Sequence, residues 1–105
     1  MKERFDLYSA TGPSLEDVKR LLSQALAIEF ELHSSFYLGG DYYLWEGDGH
    51  DEVKILVNTA DEEGYLLESQ RPVGEILVYA SSLADPAFDL LQHLPDLELR
   101  RSEII

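Results

Sequence analysis

The spacing of apolar residues along the chain changes period several times, and each change marks an element. From Glu3 to Ala10, Phe5, Leu7 and Ser9 alternate with mostly polar neighbours, the period of a half-buried strand. Thr11-Gly12-Pro13 then reads as a turn, with Ser14 as a helix N-cap and Glu16 and Asp17 in the first turn, where the helix dipole favours acids. Leu15, Val18, Leu21, Leu22, Ala25 and Leu26 recur at helical spacing, predicting an amphipathic helix over 15–27. Ile28, Phe30 and Leu32 alternate with Glu29, Glu31 and His33, which predicts a second strand with one wet face.

Gly39-Gly40 is a turn signal, followed by an aromatic strand, Asp41–Glu46. Gly47-Asp48-Gly49-His50 has hairpin-turn chemistry and leads into a strand over Glu52–Asn58. A polar connection opens at Asp61-Glu62-Glu63-Gly64 and runs to about Pro72. Glu75–Ala80 is apolar on both faces and reads as a central strand. Asp85-Pro86 predicts a helix start with Asp85 as N-cap and Pro86 at the first helical position. Phe88, Leu90, Leu91 and Leu94 form its apolar side, Pro95 ends it, and Leu97 and Leu99 alternate in a last strand. The predicted order is β-α-β-β-β-β-α-β: an α+β two-layer sandwich with two helices against a mostly antiparallel sheet.

The chain has 105 residues, the size of a single domain, and no linker or low-complexity tract divides it. It has no cysteine, which excludes disulfides, thiolate nucleophiles and Cys-based metal sites and suits a cytoplasmic location. No stretch has signal-peptide or transmembrane character, so no membrane partner is expected. Charge changes the picture more. Eight bases stand against 21 acids, for a formal −13, and residues 36–75 alone hold ten acids and two bases. Such a field repels nucleic acid and anionic lipid and steers basic proteins toward the surface.

Few residues suggest chemistry. His33 lies on the polar face of a strand, His93 near a helix C-terminus, and Ser34-Ser35 lack the strand–turn–helix setting of a nucleophile elbow. No triad assembles, so catalysis is not expected. Asp48, His50 and Glu52 alternate through a turn but fit neither a calcium loop nor a paired-histidine zinc motif, and Gly39-Gly40 lacks the frame of a phosphate-binding loop. No metal or cofactor is expected. The segment Phe36–Glu46 is the densest feature: seven of its eleven residues are aromatic or leucine, the only Trp among them. Strand alternation puts Tyr42, Leu44 and Glu46 on one face and Tyr43 and Trp45 on the other. Exposed tyrosine and tryptophan beside carboxylates have the composition of an interface centre, while buried ones would only pair across the sheet.

The stretch Phe30–Tyr43, with its Ser-Ser-x-Tyr-x-Gly-Gly-x-Tyr-Tyr core, resembles small acidic bacterial immunity proteins encoded with polymorphic or contact-dependent toxins. An early strand, the Ser-Leu-x-Asp helix start at Ser14 and a closing strand extend the likeness loosely along the chain. The resemblance implies a non-enzymatic protein that binds and blocks a cognate, often basic and nuclease-type, toxin domain. It assigns no contact surface. The residues themselves suggest Tyr37, Tyr42, Tyr43 and Trp45 as anchors and Asp41, Glu46, Asp48, Asp61, Glu62 and Glu63 as electrostatic contacts. Two other readings remain. One is a ligand-binding or enzymatic domain with a pocket between sheet and helices that uses His33, Tyr43 and His50. The other is an acidic mimic of nucleic acid.

Overall fold

A computed structural model describes residues 3–10, 12–35, 40–49 and 51–104. The elements follow the predicted order: β1 (Arg4–Ala10), α1 (Leu15–Leu26), β2 (Glu31–Ser35), β3 (Gly40–Glu46), β4 (Glu52–Val57), β5 (Ile76–Ser81), α2 (Asp85–Gln92) and β6 (Glu98–Ile104). The strands form one sheet in the order β2-β3-β4-β5-β1-β6, with every neighbouring pair antiparallel. Both helices lie on the same face of the sheet, so the fold is α+β as expected. Among the described residues no helix is long and apolar enough to cross a membrane.

α1 begins where the sequence places it. The Ser14 hydroxyl accepts from the Asp17 N–H and the Asp17 carboxylate accepts from the Ser14 N–H, a complete capping box. Val18 and Leu22 are fully buried on its inner face, each contributing roughly 1.5–3 kcal/mol through apolar burial. The helix ends at Ala27, which takes a left-handed conformation (φ 54°), and the Ile28 N–H returns to the Ser23 carbonyl. This ending corrects the expected second strand. Ile28–Phe30 carry the chain away from the helix, and pairing starts only at Glu31. A smaller correction applies to α2, whose N-cap is Ala84, with no side-chain cap, so Asp85 and Pro86 stand one place further into the helix than predicted.

The register explains the main core. Leu32, Tyr43, Ile55, Val78, Tyr8 and Leu99 stand opposite one another across all six strands on the helix-covered face. The inner four are buried, while Leu32 and Leu99, at the two sheet edges, are exposed. The adjacent row, Trp45, Val53, Ala80, Asp6 and Ser102, places a carboxylate under α2. Asp6 is buried, accepts from the Ser102 hydroxyl (2.5 Å) and lies 3.3 Å from Arg4, whose guanidinium stacks on the Phe88 ring at 3.4 Å. Tyr8 is buried nearby and its hydroxyl accepts from Gln92 Nε2 at 2.7 Å. Burial and the neighbouring Asp6 push its pKa up to about 12.

The opposite face of the sheet is covered too, but by irregular chain. Leu7, Leu56 and Leu77 are buried there, with Tyr42, Leu67 and Tyr79 packed around them. The connection over residues 58–75 supplies Leu67 and crosses this face as a strap. Asn58, fully buried, holds it: its Nδ2 donates to the carbonyls of Glu68 (3.1 Å), Arg71 (2.9 Å) and Pro72 (3.1 Å), and its Oδ1 accepts from the Glu68 N–H (3.0 Å). Arg71 forms a bidentate pair with buried Glu75 (2.6 and 2.8 Å). Glu68 accepts from the Tyr79 hydroxyl (2.6 Å) and from both terminal nitrogens of Arg101 (3.1 and 3.3 Å), tying the strap to β5 and β6. Burial pushes the Glu68 pKa up, but these donors outweigh it and hold it below the usual value.

Candidate functional site

Where the strap begins, it folds on itself. The Asp61 N–H donates to the Tyr65 carbonyl (2.9 Å) and the Leu67 N–H to the Thr59 carbonyl (3.2 Å), around a bridge between Ala60 and Leu66. The tip is an Asx-type turn in which Asp61 Oδ1 accepts from the N–H groups of Glu63 and Tyr65 (2.9 Å each). Gly64, at φ 89°, completes it in a conformation that a side chain would strain. Between this tip and the ends of β2 and β3 lies an open cleft of about 900 Å³, lined by Ser34, Ser35, Gly40, Thr59–Glu63 and Tyr65–Leu67.

The cleft combines two surfaces of different chemistry. Ala60, Leu66, Leu67 and the Tyr65 ring form an apolar wall, and Tyr65 is 70% exposed. Asp61, Glu62 and Glu63 form an acidic rim. Asp61 is committed to the turn, so the carboxylates of Glu62 and Glu63, both exposed, present the charge. An exposed aromatic beside apolar floor and acid is suited to gripping a basic, partly apolar segment of another macromolecule.

The structure divides the residues proposed from sequence. Asp61, Glu62 and Glu63 sit on the cleft as a group. Tyr43 and Trp45 are the set under the helices: Tyr43 is buried, its hydroxyl donates to the Glu16 carboxylate and its ring faces the Lys19 ammonium at 5.5 Å, while Trp45 packs half-buried against the main core. The hydrogen bond to Glu16, burial and the adjacent charges raise the Tyr43 pKa. As exposed anchors these two are therefore withdrawn. Tyr42 lies on the strap side of the sheet, half-buried and stacked on His33 at 5.6 Å, with the Lys54 ammonium 5.9 Å from its ring. Asp41 is exposed but on the helix-covered side, opposite Ser34. Tyr37 lies outside the described residues, as do Phe36, Leu38 and Gly39 of the Phe30–Tyr43 stretch that carries the resemblance.

Glu46 and Asp48 belong to the other end of β3, about 20 Å away at the rise of an extended strand. Glu46 stands directly opposite Glu52, and both line a smaller depression of about 330 Å³ with Glu3, Phe5, Gly49, Asp51, Ser81 and Ser82. Asp51 is used locally: its carboxylate accepts from the Gly49 N–H (3.1 Å) and occupies the space a side chain at Gly47 would need. The acidic middle of the chain is thus two patches at opposite ends of the β3–β4 pair.

The pocket expected between sheet and helices is filled by the main core. His33 and Tyr43, proposed to share it, point to opposite faces of the sheet, and His50 lies outside the described residues. Tyr65 is the feature that sequence reasoning missed. Its signal was an aromatic immediately after a Gly-closed acidic turn, followed by Leu66-Leu67, within an otherwise polar connection. No protein-family model matches the chain, and neither a curated protein nor a solved structure matches it at a significant level.

Proposed function

We propose that the protein binds and neutralises a basic toxin domain, as an immunity protein does, and that the cleft beside the 59–67 tip is its contact surface. The observation that carries this reading is the placement of Glu62 and Glu63 beside the exposed Tyr65 ring and the apolar Ala60–Leu66 wall. The carboxylates take the place that substrate phosphates would occupy on a nuclease-type partner, and the formal charge of −13 speeds encounter with it. Tyr65 supplies the buried anchor after docking. The reading requires no catalysis, cofactor or metal, and it places the protein in the cytoplasm of the bacterial cell that makes the toxin.

Isothermal titration against the polypeptide encoded beside this one, at low and high salt, tests the proposal. The expected result is one-to-one binding that weakens with salt and is lost with Glu62→Lys/Glu63→Lys, since neither side chain holds the turn. Tyr65→Ala should raise the dissociation rate and leave the association rate nearly unchanged. Absence of binding at either salt would refute the pairing. Binding with wild-type kinetics in both variants would move the interface elsewhere.

A further inference from the structure

The sheet has two outer strands, β2 and β6, and they differ in what they offer a second chain. Every residue of β6 is exposed, with Leu99 41% and Ile104 65% accessible. Both project on the helix-covered side, since Leu99 stands opposite Tyr8 and Ile104 opposite Arg4. Between them the register slips: Leu7 stands opposite Arg101 but Tyr8 opposite Leu99, leaving Arg100 as the extra residue of a β-bulge. Arg100 and Arg101 therefore project together on the strap side, where Arg100 Nε donates to Ser9 Oγ (2.7 Å) and Arg101 reaches Glu68.

This pattern is complementary to itself. In an antiparallel pairing of β6 with β6 of another copy, centred on Ser102, each bulge places Arg100 and Arg101 against Glu103 of the other strand. Leu99 then meets Ile104. Ser102 meets Ser102. Every pair joins residues that project from the same side of the sheet, and each pair away from the axis occurs twice, as two-fold symmetry requires. Apolar residues meet apolar and cations meet a carboxylate, the cross-strand combinations that stabilise antiparallel sheets. β2 is shorter: centring its pair on His33 sets Leu32 against Ser34 and Glu31 against Ser35, and centring it on Leu32 joins only Leu32 with its mate and Glu31 with His33. We infer that β6 is a homodimerisation edge that joins two copies into one continuous sheet. The local balance of two arginines and two glutamates on β6 offsets the repulsion between chains of −13 each, which salt near 0.15 M screens beyond about 8 Å.

Sedimentation equilibrium provides the test. At physiological salt the mass should rise from 11.9 kDa toward twice that value between about 1 μM and 1 mM, the range of an interface at the small end of the size scale. Ile104→Glu is compatible with the monomer, because the new carboxylate faces Arg4 and the site is exposed, but it should weaken the dimer at least tenfold. In the cysteine-free chain, Ser102→Cys places one thiol on the symmetry axis within disulfide reach of its mate. It should crosslink far faster on mild oxidation than Gln70→Cys, on the exposed strap. A monomeric mass at about 1 mM, a dimer indifferent to Ile104→Glu, or equal crosslinking by the two cysteine variants would each overturn the inference.

Discussion

Asn58→Ala isolates the strap across the second sheet face. In the native protein the Asn58 amide shares two protons among three carbonyls and accepts one N–H, so the substitution removes the equivalent of three buried hydrogen bonds. At about 1 kcal/mol net for each, the expected loss is about 3 kcal/mol. The carbonyls of Arg71 and Pro72 lie near the surface and can take water once the amide is gone, which keeps the cost from rising much further. With a urea m-value of roughly 1–1.5 kcal/mol/M for a chain of this size, the unfolding midpoint should fall by about 2–3 M. Asn58→Asp keeps the shape and the acceptor but turns a carboxylate toward three carbonyls, and it should cost at least as much at neutral pH. Hydrogen exchange gives the spatial check. The Glu68 amide, bonded to Asn58 Oδ1, and the Gly74 amide, bonded to the Asn58 carbonyl (2.8 Å), should lose protection by more than the global change, while α1 amides should not. A shift within about 0.5 kcal/mol for Asn58→Ala, the scatter of ordinary surface substitutions, would refute the claim that this side chain holds the strap.

Trp45→Ala should cost about 3 kcal/mol or somewhat less, as its ring is only half-buried, while leaving partner association unchanged; chemical denaturation and titration together decide this. Glu46→Lys replaces a like-charge pair facing Glu52 with an opposite-charge one and should raise stability by about 0.5 kcal/mol, read as a higher urea midpoint. In alkali the unfolded Tyr8 loses its proton near pH 10, whereas the folded protein keeps it to about 12. Stability is therefore intact below pH 10 and falls between 10 and 12 by about 1.4 kcal/mol per pH unit for this group. The Tyr79 pKa is pushed the same way by burial and Glu68 and adds to the fall. Urea midpoints that stay flat from pH 9 to about 11.5 would contradict this linkage.

Most of the architecture was legible because it rests on local signals. The spacing from Leu15 to Leu26, the Ser14 cap and the strand alternations each determine an element without reference to the rest of the chain. The boundary of β2 was not legible, because Ile28 and Phe30 alternate correctly for a strand but are drawn into the descent from the left-handed Ala27 cap. The strap was half legible. Glu75–Ala80 read as apolar on both faces, which requires a second cover, yet the polar composition of 58–75 concealed that Asn58, Glu68 and Arg71 satisfy their polar groups internally. In the candidate site, the acidic turn at 61–63 was found and Tyr65 was not. The segregation of Tyr43 and Trp45 from Tyr42 followed from alternation, but which set the helices cover depends on packing that no single strand contains.

The position of Trp45, half-buried on the helix side, also determines what the protein can report about itself. As the only indole in the chain, it dominates emission on excitation near 295 nm, and it sits on the helix side, pressed against the main core and remote from the Tyr65 cleft. Its fluorescence will follow melting of the whole sheet and stay silent when a ligand or partner settles over the strap. An optical assay of binding therefore requires a label introduced at the cleft, for which a cysteine-free chain allows one unambiguous attachment point at Thr59, clear of the Glu62 and Glu63 carboxylates.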